Sequence, residues 1–569
     1  MPGNGRTSQT SVTQPAFFNS SVINKNIINT RIGILRHFIY ALLILLIASA
    51  THADSAASDA AISQLLRSRV ATVRAQNTPA PTLRNLTLEQ ALAQFYAARN
   101  DAPAWRDGTR VEQLCKELDN LSGDGLNPED YHIAELRERY AQIKQANTSA
   151  QQIADFDVLA STAYLRSLAH LFRGKVNPAT LDPQWNFTLH DMPAADAINI
   201  VNAGINSGDI HAVYERARPQ NPLYLRARVA LAQLQLVAAQ GGWPRIEMSK
   251  VLKPGESDPQ VVNLRKRFLP NEPESAQPDV YDDALVAAVQ IFQNEQYLTA
   301  DGVIGPTTRA ALNVPVEQRI DQLRIHLERG RWLFHEFQGD FVLVDIPGYK
   351  IYYFKNGQIV WQSQVQVGKP ARKSPVFKSK ITYITFNPTW TVPPTIMKKD
   401  VLPKVRKDIR YLEKNDMRVL DSRGRELDPR TVDWNNPGSI VIRQDAGGDD
   451  AALGKVVIRF PNDYSVYLHD TPHRELFENT HRAFSSGCIR VERPFELVEL
   501  LFNDPEKWNR AAFDQIIASG ETRNVNLPKP VPILLAYWTI DLLKNGDIGF
   551  KPDIYNNDPA VLKALNARL

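Results

Sequence analysis

Cysteine is nearly absent from this chain, which has two among 569 residues, Cys115 and Cys488. Two cysteines cannot form the dense disulfide framework of a small secreted domain or a four-cysteine zinc site. One-sided charge is also absent, because 66 lysines and arginines face 62 acidic residues and no long basic block occurs. The net charge of +4 therefore gives no argument for nucleic acid as a partner. With 43% hydrophobic residues, the chain can build about three or four globular domains.

Long apolar runs are scarce, and the one that stands out lies near the N-terminus. Residues 38–47 are apolar, follow Lys25, Arg31 and Arg36, and precede small residues as far as Ala53. The run has the length of a signal-peptide core and falls short of the roughly 20 residues that cross a bilayer. We therefore expect residues 1–53 to be a signal peptide or an uncleaved membrane anchor, and the remaining chain to be exported.

Export raises the question whether the two cysteines form a bridge, since an oxidising compartment permits one. Cys115 lies on a helical apolar stripe with Val111, Leu114 and Leu118. A cysteine in this pattern is typically a small buried residue. We expect Cys115 to be inert and Cys488 to be a free thiol.

The first half of the chain reads as helical. Residues 54–84 are rich in Ala, Ser and Thr and contain two prolines, which predicts a flexible linker. Residues 85–250 follow the helical period and show no convergent polar cluster, so we expect an all-α scaffold domain. Residues 255–316 predict a module of three helices.

The second half changes to the alternation of β-strands, which predicts a mostly-β domain over residues 338–520. The stretch 397–433 is rich in lysine and arginine and is expected to be an inserted helical cap. Residues 521–569 are expected to be a C-terminal extension that packs on this domain. The predicted fold class is multidomain α+β. Strands are expected at 341–346, 350–354, 359–368, 380–387, 455–460, 465–470 and 488–491.

Cys488 follows His469 by nineteen residues, and both lie in predicted strands. Alternation places Tyr467 with His469 on one face, and Cys488 with Arg490 on the face opposite their apolar neighbours. A thiol is mostly protonated at neutral pH, and an imidazole can take its proton to leave a nucleophilic thiolate. We predict Cys488 as a nucleophile and His469 as its base.

The residues before Cys488 are small, which lets the backbone approach a substrate closely. The N–H groups of Gly487 and Cys488, with Ser486 as a third donor, are predicted to bind a tetrahedral oxyanion. Arg490 is predicted to hold a substrate carboxylate through paired hydrogen bonds.

Alternatives exist for several of these residues. Arg490 can instead be a surface salt-bridge partner, and Tyr467 can simply pack on a neighbour. His473 and His481 are competing imidazoles, although both fall in a predicted loop, where a solvated histidine is expected.

Two sets of motifs resemble known families. Phe292-Gln293, Asp301 to Thr308 and Ala311-Leu312-Asn313 resemble the peptidoglycan-binding domain of cell-wall enzymes. His469, Ser485, Gly487 and Cys488 resemble the signature of the L,D-transpeptidase catalytic domain, with Ser486 at the family's second histidine. This departure fits the large periplasmic branch with a Ser-Ser-Gly-Cys-Ile-Arg-Val motif and leaves His469 as the base.

Further segments resemble the framework of the same branch. They are Phe95-Tyr96 with Pro103-Ala104-Trp105, Asp124 to Tyr131, Val367 to Pro370 with Ser374-Pro375, Asn387 to Pro393, and Arg443-Gln444 with Ala452-Leu453-Gly454. The order of scaffold, wall-binding module and catalytic domain also agrees.

The resemblance implies a periplasmic enzyme that forms 3-3 cross-links between peptidoglycan tetrapeptide stems through a Cys488 thioester, with release of D-Ala. It implies substrate contacts from Arg490, Tyr467, Trp390 and Ser485, no cofactor or metal, and a carbapenem adduct at Cys488. Glycan polymerases and a D,D-carboxypeptidase are expected partners in wall building. We expect membrane contact only through an uncleaved N-terminal segment.

Other functions stay open at this point. Water as acceptor gives a carboxypeptidase, and a lipoprotein lysine gives attachment of a wall-linked lipoprotein. A sortase-type transpeptidase also uses Cys, His and Arg, and a non-catalytic wall-binding protein would keep the fold alone.

Overall fold

The computed structural model describes residues 59–75, 82–145, 148–182, 185–273, 275–446 and 451–568. The expected signal peptide or anchor, residues 1–53, lies outside these ranges. Within them, no helix is both long and apolar enough to cross a membrane.

The N-terminal region is helical, as the sequence predicts, and has one shared hydrophobic core. Its α-helices are residues 59–75, Leu88–Ala97, Gly108–Asn120, Ile133–Ile143, Ala150–Arg173, Ala194–Ser207, Ile210–Ala217 and Pro222–Ala239. Several begin with a side-chain cap; at Thr87 and Ser149 the cap is reciprocal, with a glutamine three residues on.

The expected linker differs from the structure. Residues 59–75 are helical, and Ile62, Leu66 and Val70 are buried in the scaffold core. These residues recur every fourth position and so form one apolar stripe on a helix. The linker was predicted from the Ala- and Ser-rich composition, which did not take this stripe into account. Much of the segment 54–84 is therefore part of the scaffold.

The next module consists of three α-helices, Val261–Phe268, Asp283–Glu295 and Pro306–Leu312, around their own core. The motif residues build its turn: Gln293 accepts from the Gly302 N–H at 2.9 Å and donates to Asp301 Oδ1 at 3.0 Å. The buried Tyr281 hydroxyl donates to the Gly302 carbonyl at 2.6 Å. These contacts give the motif a structural role.

The helix Val316–Leu333 joins the scaffold to the β domain and is buried on most of its faces. It packs on Pro222–Ala239 and on the C-terminal helix Asp558–Leu565. Its buried charges are paired, as burial requires: Arg331 with Glu328, and Arg329 with Asp558 at 2.6 Å.

In the described part of the β domain, fifteen strands form three sheets. In chain order the strands are β1 Phe341–Asp345, β2 Lys350–Lys355, β3 Gln358–Gly368, β4 Phe377–Phe386, β5 Trp390–Thr391, β6 Met417–Leu420, β7 Glu426–Leu427, β8 Val441–Gln444, β9 Val456–Arg459, β10 Leu468–His469, β11 Ala483–Ser485, β12 Ile489–Val491, β13 Arg523–Ala536, β14 Ile540–Leu542 and β15 Ile548–Phe550. Helices Pro494–Phe502 and Arg510–Ala518 pack on the largest sheet. Its nine strands run β11-β3-β12-β10-β9-β4-β13-β1-β2, and an added β2–β3 pairing curls the sheet around its core.

The predicted C-terminal extension is wrong in its first part. β13 is an internal strand of the large sheet, antiparallel to β4 and parallel to β1. Ile533 and Leu535 on this strand are fully buried. The end of the chain therefore completes the β domain.

The predicted helical cap is also only partly right. Helices Pro394–Ile396, Leu402–Lys407 and Arg410–Lys414, with a π-helical turn at Met397–Val401, are followed by strands. β6, β7 and β8 join β5, which precedes the helices, in the four-stranded sheet β5-β8-β6-β7, and the insertion has its own small core. The cap is thus a mixed α/β unit whose first and last strands, β5 and β8, pair with each other.

Candidate active site

The two strands that carry the predicted nucleophile and base are neighbours. β10 and β12 are parallel, and His469 lies opposite Arg490 in their register. Strand alternation therefore puts Tyr467, His469, Cys488 and Arg490 on one face, while Ile489 is fully buried on the other. The predicted shared face is present, although β10 is shorter than expected because Ser465 has a positive φ of 55°.

The Cys488 thiol lies against the backbone of the preceding turn and against Tyr467. The thiol donates to the Ser465 carbonyl at an Sγ–O distance of 3.8 Å, and the N–H and hydroxyl groups of Tyr467 lie close enough to lower its pKa. Burial raises the pKa of the thiol, and the bonds from Tyr467 and the nearby Arg490 and Arg459 act in the opposite direction. Cys488 is a free cysteine, and its raised pKa keeps the thiol protonated at neutral pH.

Cys115 does not bridge to Cys488, because both cysteines are free. It is half-buried in the scaffold, and burial raises the pKa of its thiol. Both observations agree with an unreactive residue.

The His469 imidazole is buried and held in one orientation. Its Nδ1 lies 2.6 Å from the Asp470 carbonyl oxygen, so Nδ1 carries the proton and Nε2 is left as an acceptor. Burial, together with the positive charge of Arg490, lowers the pKa of His469 to about 3. The imidazole is therefore neutral at pH 7 with its Nε2 lone pair available, and burial makes it a weaker base than a solvated histidine.

Tyr467 does more than pack on a neighbour. Its hydroxyl interacts with both the Cys488 thiol and the side chain of Trp390. Its ring meets that of His469 edge-on at 5.8 Å. Trp390 belongs to β5, so this hydroxyl links the cap to the nucleophile.

Arg459 is a site residue that the sequence reasoning missed. It lies on β9, and its guanidinium carbon is 4.7 Å from the centre of the Tyr467 ring. The only available signal was the predicted strand 455–460, whose alternation does not reveal which strand it neighbours.

Arg490 is not the surface salt-bridge partner of the alternative reading. It donates to Gln366 Oε1 at 3.1 Å, its Nε is buried without a hydrogen-bond partner, and no described carboxylate pairs with it. Burial lowers the pKa of this guanidinium. Four of the five N–H donors of this guanidinium remain, and two of them can donate in parallel to a carboxylate.

The loop before Cys488 is oriented by hydrogen bonds to its carbonyl groups. Lys369 N–H donates to the Ser485 carbonyl at 3.0 Å, and Ser374 Oγ donates to the Gly487 carbonyl at 2.7 Å. In a trans peptide the N–H points away from the C=O. The N–H groups that follow these carbonyls, those of Ser486 and Cys488, therefore point away from residues 369–374.

The three predicted oxyanion donors differ in this structure. The Gly487 N–H already donates to Ser485 Oγ at 3.1 Å. Backbone hydrogen bonds between the described residues use neither the Ser486 N–H nor the Cys488 N–H. Ser486 and Cys488 are thus the available pair, and the inclusion of Gly487 is corrected.

Ser485 also differs from its predicted role as a substrate contact. It is 3% exposed, and its hydroxyl donates to the Cys488 carbonyl at 2.6 Å. Ser485 shapes the loop from within, since its hydroxyl both accepts from Gly487 and donates to Cys488.

Three segments of the chain match known domain families. The L,D-transpeptidase catalytic domain matches residues 339–503, the scaffold domain matches 90–231, and the provisionally described peptidoglycan binding domain matches 257–312. Residues 339–503, which include Tyr467, His469, Cys488 and Arg490, therefore lie within a match to the L,D-transpeptidase catalytic domain.

A curated relative from Haemophilus influenzae, provisionally named an L,D-transpeptidase, is 36% identical over 220 residues. The match covers 38% of this chain and 44% of the relative, so it spans less than half of either protein.

Solved structures of L,D-transpeptidases resemble the chain more remotely. That of Stackebrandtia nassauensis is 11% identical, covers 52% of this chain and 96% of its own, and has a TM-score of 0.18. That of Xylanimonas cellulosilytica is 15% identical, with coverages of 51% and 99% and a TM-score of 0.16. At these TM-scores the solved structures support no argument about the site.

The competing imidazoles of the transpeptidase domain lie elsewhere. His473 is largely exposed beside Glu475, and His481 Nδ1 is 2.8 Å from the Tyr349 hydroxyl. Both have other neighbours, whereas His469 shares a sheet face with Cys488.

A cavity of about 530 Å³ reaches the nucleophile loop of the transpeptidase domain. Ser486 and Gly487 line one end, and Trp185 of the scaffold and Trp332 of the connecting helix line another. The scaffold therefore forms part of the wall beside the active site. Across the described ranges, no group of three His, Cys, Asp or Glu side chains is arranged to hold a metal ion.

Proposed function

We propose that this protein is a peptidoglycan L,D-transpeptidase that forms 3-3 cross-links between stem peptides through a thioester on Cys488. The supporting observation is one face of the sheet, where a protonated thiol, a neutral imidazole and two unused N–H groups meet within a matched catalytic domain. These groups are a nucleophile, a base and an oxyanion site.

The first half-reaction transfers the acyl group of a tetrapeptide stem. His469 Nε2 takes the thiol proton as Sγ attacks the carbonyl that joins the L-centre of meso-diaminopimelate to the terminal D-Ala. The Ser486 and Cys488 N–H groups bind the oxyanion. The C–N bond then breaks, the imidazolium gives its proton to the departing D-Ala amine, and a thioester remains.

The second half-reaction uses the side-chain amine of a diaminopimelate in a neighbouring stem. The amine attacks the thioester, His469 takes a proton from it, and the C–S bond breaks. The proton returns to the sulfur, which restores the starting site. Arg490 is placed to pair with a carboxylate of a stem peptide.

The acceptor defines the alternatives. Water would give an L,D-carboxypeptidase, and a lipoprotein lysine would give attachment of that protein to the wall. The match to a peptidoglycan-binding module favours a second stem as acceptor. The catalytic-domain match disfavours sortase-type chemistry and a purely binding role.

We further propose that the protein is exported to the periplasm through residues 1–53. In that compartment, glycan polymerases supply strands and a D,D-carboxypeptidase trims pentapeptides to the tetrapeptide donor. A carbapenem would acylate Cys488, because its strained amide carbonyl is attacked as the donor carbonyl is.

The test incubates the purified protein with tetrapeptide-bearing peptidoglycan fragments and follows products by mass spectrometry. Dimers with loss of D-Ala are expected from the natural sequence and not from Cys488→Ala. His469→Gln should lower their rate at least about 100-fold, the usual contribution of a positioned base. Tripeptide monomers alone would move the assignment to a carboxypeptidase, and no Cys488-dependent product would refute catalysis.

A further inference from the structure

We propose that Ser374 and Tyr555 are positioning residues that orient the oxyanion-binding N–H groups before Cys488. Tyr555 lies beyond residue 503, where the match to the catalytic domain ends. The inference deepens the proposed function, because it concerns the acyl transfer performed by the same site.

Residues 369–374, here called the strap, contact each of the three residues directly before Cys488. Lys369 N–H donates to the Ser485 carbonyl, and Ser374 Oγ donates to the Gly487 carbonyl. Arg372 donates to the Ser486 hydroxyl at 2.8 Å. The strap thus fixes the loop at three successive residues.

The Ser374 contact has the most direct chemical consequence. It holds the carbonyl of the peptide unit whose N–H belongs to Cys488, so the direction of that N–H is set by Ser374. Gly487 has a φ of 119°, in a region that favours glycine, which allows this peptide to turn toward the strap. Without the bond, the peptide plane can rotate, and the Cys488 N–H no longer points at the position of the oxyanion.

Ser374 is itself held by Tyr555. The Tyr555 hydroxyl accepts from the Ser374 N–H at 3.1 Å and donates to the Gly368 carbonyl at 2.6 Å. Gly368 N–H donates in turn to Ser374 Oγ at 2.9 Å, which leaves the hydroxyl proton of Ser374 for Gly487. Tyr555 and Ser374 are 3% and 2% exposed, so water does not replace these bonds.

Further contacts anchor Tyr555 in the C-terminal region. Its N–H donates to the Tyr537 hydroxyl at 2.9 Å, and the two rings stack at 5.5 Å. Lys373 Nζ donates to the Tyr555 carbonyl at 2.6 Å and to Asn557 Oδ1 at 3.0 Å. Tyr537 directly follows β13, so the central sheet fixes the position of the hydroxyl that anchors the strap.

The test separates oxyanion binding from thiol reactivity by comparing two reagents on the full chain. A carbapenem acylates the thiol: Sγ bonds to the ring carbonyl, the C–N bond breaks, and the ring nitrogen takes the proton. This passes through an oxyanion. Iodoacetamide alkylates the thiol by displacing iodide and forms no oxyanion.

We expect Tyr555→Phe and Ser374→Ala each to slow acylation about 10- to 100-fold, the range for a misaimed oxyanion donor, with alkylation changed less than about two-fold. Tyr281→Phe is the matched control, since it removes another buried hydroxyl that donates to a glycine carbonyl at 2.6 Å, in the peptidoglycan-binding module. It should leave both rates unchanged.

Unchanged acylation in both variants, or acylation and alkylation slowed to the same extent, would overturn the inference. If Tyr555→Phe does not fold, as judged by thermal unfolding, Ser374→Ala decides. Failure of the natural sequence to cross-link stems would refute the proposed function and leave this comparison valid, because it uses a carbapenem and not a stem peptide.

Discussion

The Tyr467 hydroxyl is expected to control the reactivity of Cys488, and Tyr467→Phe tests this with the removal of one oxygen atom. The tyrosine hydroxyl lies next to the side chain of Trp390 and next to the Cys488 sulfur, to which it can donate a hydrogen bond. That bond lowers the pKa of Cys488 against the larger effect of burial, which raises it. Losing it should therefore raise the pKa further.

The magnitude follows from the charge on the acceptor. A hydrogen bond to an ionised group contributes about 1.5–3 kcal/mol, and one pKa unit corresponds to about 1.4 kcal/mol. The thiol pKa should rise by about one to two units. Below that pKa the thiolate fraction falls tenfold per unit, so alkylation at pH 7 should slow about 10- to 100-fold.

The assay is the rate of iodoacetamide alkylation measured from pH 6 to pH 10. The profile of Tyr467→Phe should keep its shape and move to higher pH, whereas Tyr281→Phe should superimpose on the natural sequence. A profile that stays in place, or moves to lower pH, would show that the hydroxyl does not stabilise the thiolate.

Two further predictions concern stability, both measured by urea unfolding. Lys551→Met should destabilise the protein by about 3–5 kcal/mol, because it leaves Asp345 buried without the ammonium group that lies 2.6 Å away; a loss under about 1 kcal/mol would contradict this. His326 is fully buried, and burial, with Lys551 and Arg329 nearby, holds its pKa well below 6.5. As pH falls below 6.5, the unfolded state binds a proton at His326 that the folded state does not bind. The free energy of unfolding should therefore decrease by about 2 kcal/mol between pH 7 and pH 5. His326→Leu should remove that part of the pH dependence, and an unchanged slope would refute the reasoning.

The sequence predicted most strands of the large sheet but missed β11 and β13, of which β13 is the internal one. Pro528, Pro530 and Pro532 lack the N–H that a central strand normally uses, so the pattern argued against a strand. The structure accommodates Pro528 and Pro530 in the register shift between Asn526 and Val531, and pairing with β1 begins only at Ile533. Such a solution depends on the partner strands and has no local signature.

The strands of the cap were also missed, because they too have no clear local signature. Its exposed lysines and arginines suggested helices, and helices do form at its start. β6 and β8, however, are four residues each, too short for alternation to show clearly, and they are stabilised by pairing with each other.

The sequence by itself determined which side chains meet at the site, because strand alternation is local and places Tyr467 with His469, and Cys488 with Arg490. Only the tertiary structure decided the protonation and the hydrogen bonding of these groups. His469 is neutral because the fold buries it, and Gly487 is excluded as an oxyanion donor because Ser485 Oγ already accepts its N–H. The hydroxyl that anchors the strap at Ser374 comes from 181 residues further along the chain, a distance over which no periodicity carries information.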